Sequence, residues 1–385
     1  MKNSPIDTPI KVGIVGTGFI SRGFTLLLQQ QTEYIASRVL TRRNLDSCNE
    51  FPRQDLLTQS LTELIEHSDI VVECSGDPIH AADVIDLVFS ASLPVVTMNT
   101  EFHVTCGSYF VSKGLLTEAE GDQPGCLAAL AEEAISMGFK PLVYGNVKGF
   151  YNNDPTLKEM QFWAKKQGIS LAMVTAATDG TKLQAEQALV ANGLNATIAQ
   201  QGLLGFQSDK LEAGALRLAN IAEEKGRTIS DYIISADEKA RVFIVAEHTE
   251  HQQASLEYLK LGGGPYYTLS NSRVLCHLEI LKTIKRVMHQ GIPLLNNSES
   301  PTISLCAIAK KDLPNGTCIS HAIGSFEIRG VAIKIIDYPQ HIPMGLLSDA
   351  VITKAVEKGE VICFTHIEIK PSLALKAWQE SILIS

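Results

Sequence analysis

Among the charged residues between 101 and 186, the lysines Lys148 and Lys182 and the carboxylates Glu101, Asp122, Asp179 and Glu186 are the candidates for chemistry. A lysine ammonium brings charge and a proton together to an oxygen that becomes negative, and a neighbouring carboxylate orients it. Such a set suits reduction of a carbonyl or oxidation of a hydroxyl. Lys182, in the run Asp179-Gly180-Thr181-Lys182, is the first candidate for the acid. On a helix Glu186 lies four residues on, one turn away and able to pair with it. Lys148, in the Gly-flanked segment Gly145-Asn146-Val147-Lys148-Gly149, is the second candidate. Glu101 and Asp122 are candidates to hold substrate hydroxyl or amino groups, or to join Asp179 around a divalent cation, which a carbon-skeleton rearrangement requires. The alternative for each carboxylate is a helix cap, a solvated loop residue or a surface ion pair.

Such a site needs a redox partner, and the start of the chain has a motif for one. The β-rich run Ile10 to Val15 is followed at once by Gly16-Thr17-Gly18-Phe19-Ile20-Ser21 and then by a helical pattern. In that context Gly16 allows a tight turn and Gly18 lets a pyrophosphate approach the backbone. Phe19 and Ile20 open the helix whose free N–H groups would face the phosphates. A second strand, Tyr34 to Leu40, ends in Thr41-Arg42-Arg43, where an NAD-binding chain usually carries an acid. Two guanidiniums there favour the 2′-phosphate of NADP, with NAD as the alternative. Buried strands at 69–74 and 93–99 alternate with helices, the pattern of a doubly wound parallel sheet. Ligands gather at the carboxyl ends of such strands, which puts Ser75, Gly76 and Asn99 beside the cofactor.

The expected architecture is therefore α/β. A Rossmann dinucleotide-binding domain spans 1–140, a central α/β catalytic domain 141–299, and a small β-rich domain 300–385. In the central part strands are expected at Pro141 to Tyr144 and Ile169 to Thr175, with a loop at 145–149. The polar stretch 295–300 is expected to be the linker to the β-rich end.

Composition excludes several classes. The chain has 385 residues, 45% hydrophobic and 19% charged, which is the profile of a folded protein. A net charge of −9 without a basic stripe argues against nucleic acid as a partner. No apolar run reaches the ~18–20 residues of a membrane span. The N-terminus lacks a signal-peptide h-region. Eight cysteines without a CxxC pair read as reduced thiols, so a cytoplasmic protein is expected. The pair His248 and His251 lies in a polar stretch without the pattern of a zinc site. Apolar strands in the middle region make a homo-oligomer the expected state, with a small molecule as substrate.

Three segments, VVTMNTEFHVTCG, GDQPG and DGTKLQAEQALVANG, together resemble the homoserine-dehydrogenase-like NAD(P)-dependent oxidoreductases. The C-terminal stretches AIAKKDLPNGTCI and IPMGLLSDAVITKAVEKGEVICFTHIEI resemble the SAF (antifreeze-like) module that ends members of that family. The resemblance implies a nicotinamide-dependent enzyme acting on a small polar, sometimes phosphorylated, carbonyl or hydroxy compound. One branch is deoxyxylulose-phosphate reductoisomerase-like, for which a divalent cation is implied. A cofactor-binding protein without chemistry is the further alternative. Homoserine dehydrogenases follow the Val95–Asn99 equivalent with a lysine, whereas this chain continues Thr100-Glu101.

Overall fold

The computed structural model describes residues 8–239 and 241–384. Its first layer is a six-stranded parallel sheet of β1 (Ile10–Val15), β2 (Tyr34–Leu40), β3 (Leu57–Thr58), β4 (Ile70–Glu73), β5 (Val95–Thr97) and β6 (Leu116–Glu118). The order β3-β2-β1-β4-β5-β6 is the doubly wound one expected, with the strand order reversing between β1 and β4. Val12, Ile14, Val71 and Val72 are fully buried because helices cover both faces. The helix Pro78–Ser90 shows how locally the chain directs this. Asp77 accepts from the N–H groups of Ile79 and His80 at 3.1 and 3.2 Å, and Pro78 occupies the first turn, where its missing N–H costs nothing.

A second, mixed sheet contains β7 (Lys140–Lys148), β8 (Phe206–Gln207), β9 (Ile229–Ile234), β10 (Val242–Glu247) and β11 (Tyr266–Asn271), in the order β11-β10-β7-β9-β8. The helices Gln123–Ser136 and Leu211–Lys225 cover its two faces. The helix Ile280–Gln290 packs back on the first sheet, its Ile280 and Ile284 against Val12 and Ile14.

Two local expectations are corrected. The segment expected to be a strand at 169–175 is the helix Leu171–Thr178. Ser170 caps it by accepting from the Met173 N–H at 3.2 Å, and Leu, Ala and Met outweigh the three β-branched residues. The loop expected at 145–149 is mostly strand, since β7 runs through Lys148. Asn146 pairs with Val242 of β10 and Tyr232 of β9. Gly145 is needed there because a Cβ would lie 2.1 Å from the Phe243 ring.

The C-terminal part is β-rich, as expected. β12 (Ile303–Ala309) pairs antiparallel with β14 (Ile328–Lys334). β13 (Cys318–Ile319), β15 (Ala350–Ile352) and β16 (Ile367–Glu368) form a small sheet. Its apolar residues belong to one core with Val15, Ile85 and Leu189. The stretch expected to be a polar linker is pinned: Asn297 is buried and receives Asn192 Nδ2 at 2.9 Å. The last helix, Leu373–Ile384, returns the chain to the helices flanking the first sheet.

Asp231 on β9 supplies a pH test of this fold. Its buried carboxylate accepts from the N–H groups of Leu204, Gly205 and Tyr232, closing the 203–205 turn on the sheet. Burial outweighs these donors and pushes its pKa up to about 6. The unfolded carboxyl ionises near pH 4, so between about 4 and 6 the folded chain binds more protons and stability falls as pH rises. We expect Asp231→Asn to flatten that slope by roughly 2–3 kcal/mol in urea unfolding at pH 4, 5, 6 and 7. Parallel curves for the two proteins would show that Asp231 ionises normally.

Candidate active site

The helix Thr181–Gly193 (TKLQAEQALVANG) lies at the centre of the molecule. Every residue from Leu183 to Asn192 is buried, so it has no solvent face. It begins after Gly180, whose φ of +86° and contact with the Tyr151 ring leave no room for a Cβ. From its first turns Lys182 and Glu186 project towards the carboxyl end of the first sheet and the end of β7.

There the Lys182 ammonium lies 2.9 and 3.2 Å from the two carboxylate oxygens of Asp122, and 3.7 Å from Glu186 Oε1. Asp122 is the N-cap of the helix Gln123–Ser136 and follows Gly121, which has φ +111°. Lys148, at the end of β7, sits 3.9 Å from Glu186 Oε2, and Asn146 Nδ2 donates to that same oxygen at 2.7 Å. Burial opposes the charge on Lys182, but the charges of Asp122, Glu186 and Glu101 outweigh it and hold its pKa above the ordinary lysine range. Glu186 moves the other way. Burial pushes it up to about 7, against the pull of Lys148 and Lys182. Burial also raises Glu101, with the Lys182 charge opposing.

The sequence candidates Lys182, Lys148, Glu186, Glu101 and Asp122 are thus brought together from four separate elements. Asp179 is not among them. Its carboxylate is fully buried on the far side of the helix start, 2.6 Å from Lys310 Nζ. The expectation that Asp179 joins Glu101 and Asp122 around a cation is therefore corrected. Among the described residues no three His, Cys, Asp or Glu side chains are grouped so as to hold a metal ion. The reason is topological: residues 179 and 182 leave a helix start in opposite directions.

Sequence reasoning missed two polar residues here. Glu118 closes β6 in full burial, accepting from Thr100 Oγ1 at 3.1 Å, with His103 Nε2 3.5 Å from its second oxygen. Burial and the Asp122 charge raise the Glu118 pKa, while burial lowers that of His103 to about 3, so the imidazole is neutral near pH 7. A carboxylate at the carboxyl end of a parallel strand was the available signal. Asn146 was hidden by the misplaced loop.

The residues expected to meet the cofactor lie around the carboxyl ends of β1, β2, β4 and β5. The ten-residue helix Phe19–Leu28 has Gly18 as N-cap, no side-chain cap and no acid in its first turn, which leaves its leading N–H groups free for an anion. Phe19 is exposed, and a Cβ at Gly18 or Gly76 would meet only open space. Gly16 has φ +104° and packs its backbone on Cys74. Past β2, Arg42 Nη2 lies 2.9 Å from Asp77 in an exposed pair, and Arg43 is solvent-facing. Ser75 donates its N–H to Glu73. Asn99 is buried, caps the turn at Phe102 and leaves its Nδ2 without a partner. This donor set fits a dinucleotide.

Residues 121–280 match the family model described as the catalytic domain of oxidoreductase DRL. No curated protein matches the chain in sequence. Among solved structures, a homoserine dehydrogenase from Thiobacillus denitrificans is 14% identical, with a TM-score of 0.45, covering 91% of this chain and 98% of its own. UDP-N-acetylglucosamine 3-dehydrogenase from Acidithiobacillus ferrooxidans is 13% identical, with a TM-score of 0.41, covering 75% and 92%. No helix among the described residues is long and apolar enough to cross a membrane. The matched segment contains Asp122, Lys148, Lys182 and Glu186, and on that match the chain is an enzyme of the oxidoreductase class.

Proposed function

We propose that this oxidoreductase uses NADP(H) to interconvert a small polar carbonyl compound and its alcohol, with Lys182 at the reacting oxygen. The observation that carries the proposal is the Lys182 ammonium held 2.9 Å from Asp122 inside a cluster assembled from four elements. The nicotinamide, when bound, supplies or accepts the hydride. Asp122 and Glu186 keep Lys182 charged and aimed, so that it offers a hydrogen bond and positive charge to the developing alkoxide. Glu186, at about 7, is the member of the cluster whose proton is in play near neutral pH, with Lys148 alongside. Phosphorylated substrates stay within the class. The test is NADPH oxidation across a panel of aldoses, ketoses and semialdehydes. Bound cofactor with turnover of none would replace the enzyme by a binding protein.

The cofactor preference has its own test. The Arg42–Asp77 pair is exposed and contributes little to stability, so a 2′-phosphate can take the guanidinium from Asp77. We expect Arg42→Ala/Arg43→Ala to weaken NADPH binding at least ~10-fold and NADH binding hardly at all. Equal losses for the two cofactors would make these arginines scaffold.

A further inference from the structure

The candidate catalytic helix is held along its length by the C-terminal β strands. At its start, Asp179 Oδ1 accepts from the Thr181 N–H at 2.9 Å, doing the work of a cap that Gly180 cannot. The other oxygen of Asp179 takes Lys310 Nζ at 2.6 Å, and that ammonium also donates to the Ser325 carbonyl at 2.6 Å. Lys310 directly follows β12, and both members of the pair are buried. Thr181 Oγ1 accepts from the Gly330 N–H at 2.9 Å, and Gln184 Oε1 from the Ala332 N–H at 2.8 Å, both on β14. At the far end Asn192 exchanges hydrogen bonds with Thr302 and Ile303. Two N–H groups that a strand normally keeps for its ladder or for solvent are therefore spent on this helix.

A buried lysine needs a reason. Lys310 is nearly inaccessible, and an uncompensated charge there would be expelled or neutralised. What it does touch is the one carboxylate that fixes the N–H next to Lys182. A shift of the first turn by a fraction of a turn would swing Lys182 off Asp122, because the side chain leaves the helix at that turn.

We infer that Lys310 is a positioning residue for the active site, acting through Asp179 to set the first helical turn and so to aim Lys182 at Asp122. The C-terminal β unit is then a working part of the site. This rests on the assignment of Lys182, but its test reads the geometry of Lys182 and not turnover.

The experiment is a 13C titration of the full-length protein labelled at lysine Cε, with Lys182→Met identifying the Lys182 resonance. In the parent, the groups facing Lys182 are Asp122, Glu186 and Glu101, which keep it charged. In Lys310→Met the Lys182 ammonium loses that company and burial dominates, so its resonance should titrate at or below the ordinary lysine pKa of ~10.4, where the parent resonance does not move. Lys310→Arg should restore the parent titration, and NADPH affinity should stay within about twofold in each protein. Asp179→Ala cuts the same link from the other side and should move Lys182 in the same direction. It decides the question if Lys310→Met does not fold. A folded Lys310→Met or Asp179→Ala protein with Lys182 titrating as in the parent overturns the inference, whatever its loss of thermal stability. Full activity in Lys182→Met would instead sink the assignment of Lys182 and leave this geometry standing.

Discussion

Lys182→Met is expected to turn over the carbonyl substrate proposed above at least about a hundredfold more slowly than the parent, a loss of about 2.7 kcal/mol of transition-state stabilisation. Methionine keeps the length of the side chain and removes its charge and its proton. The turn proposed to hold the pyrophosphate, at Gly16 and Gly18, is built from a different part of the chain, so NADPH binding should change little. Steady-state NADPH oxidation and fluorescence titration of the cofactor measure the two quantities separately. The variant leaves Asp122 without its ion-pair partner and Glu186 with Lys148 alone. Its pH–rate profile should shift with the loss of turnover, because Glu186 then lacks one of the two cations that restrain its pKa. Undiminished turnover would remove Lys182 from the chemistry and transfer the role to Lys148.

Gly121→Ala is expected to cost more than about 3 kcal/mol of stability. Gly121 has φ +111°, a conformation that side chains disfavour, and an added Cβ would lie 2.0 Å from the backbone oxygen of Cys276. That oxygen belongs to a turn already tied down, since the Cys276 N–H donates to the Gly121 carbonyl at 2.8 Å and Cys276 itself has a positive φ. Backbone meets backbone, so no rotamer change relieves the clash. Asp122 is the next residue, and displacing Gly121 carries the Lys182 partner with it. Gly359→Ala is the control. Gly359 also has positive φ, +86°, but nothing lies within 4 Å of an added Cβ, so about 1 kcal/mol is expected. Urea unfolding of the two variants compares them. Equal destabilisation would show that the close approach at Gly121 is not what holds the turn.

Local pattern makes the first sheet legible in the sequence. Its strands are short apolar runs between glycine turns and amphipathic or capped helices, and those signals act over a few residues, as at Asp77-Pro78 and Gly16-Thr17-Gly18. The same holds for the lysine and carboxylate types of the site, because their chemistry belongs to the side chain itself, and for the i,i+4 relation of Lys182 and Glu186. Long-range packing sets which of them meet. Asp122 reaches Lys182 from 60 residues away. Asp179, three positions from Lys182, faces Lys310 instead, because neighbours on a helix start point in different directions. Asn146 joins the site only because β7 continues through it, since a glycine in a strand is tolerated where a Phe243 ring fills the space of its missing side chain. The segment at 171–178 is helical because the Ser170 hydroxyl caps it and its Leu, Ala and Met residues favour a helix, although its apolar run imitates a strand. Lys310 carries no motif at all. Its role arises from burial beside Asp179 across 131 residues of sequence, and a contact of that range is set by packing, not by spacing.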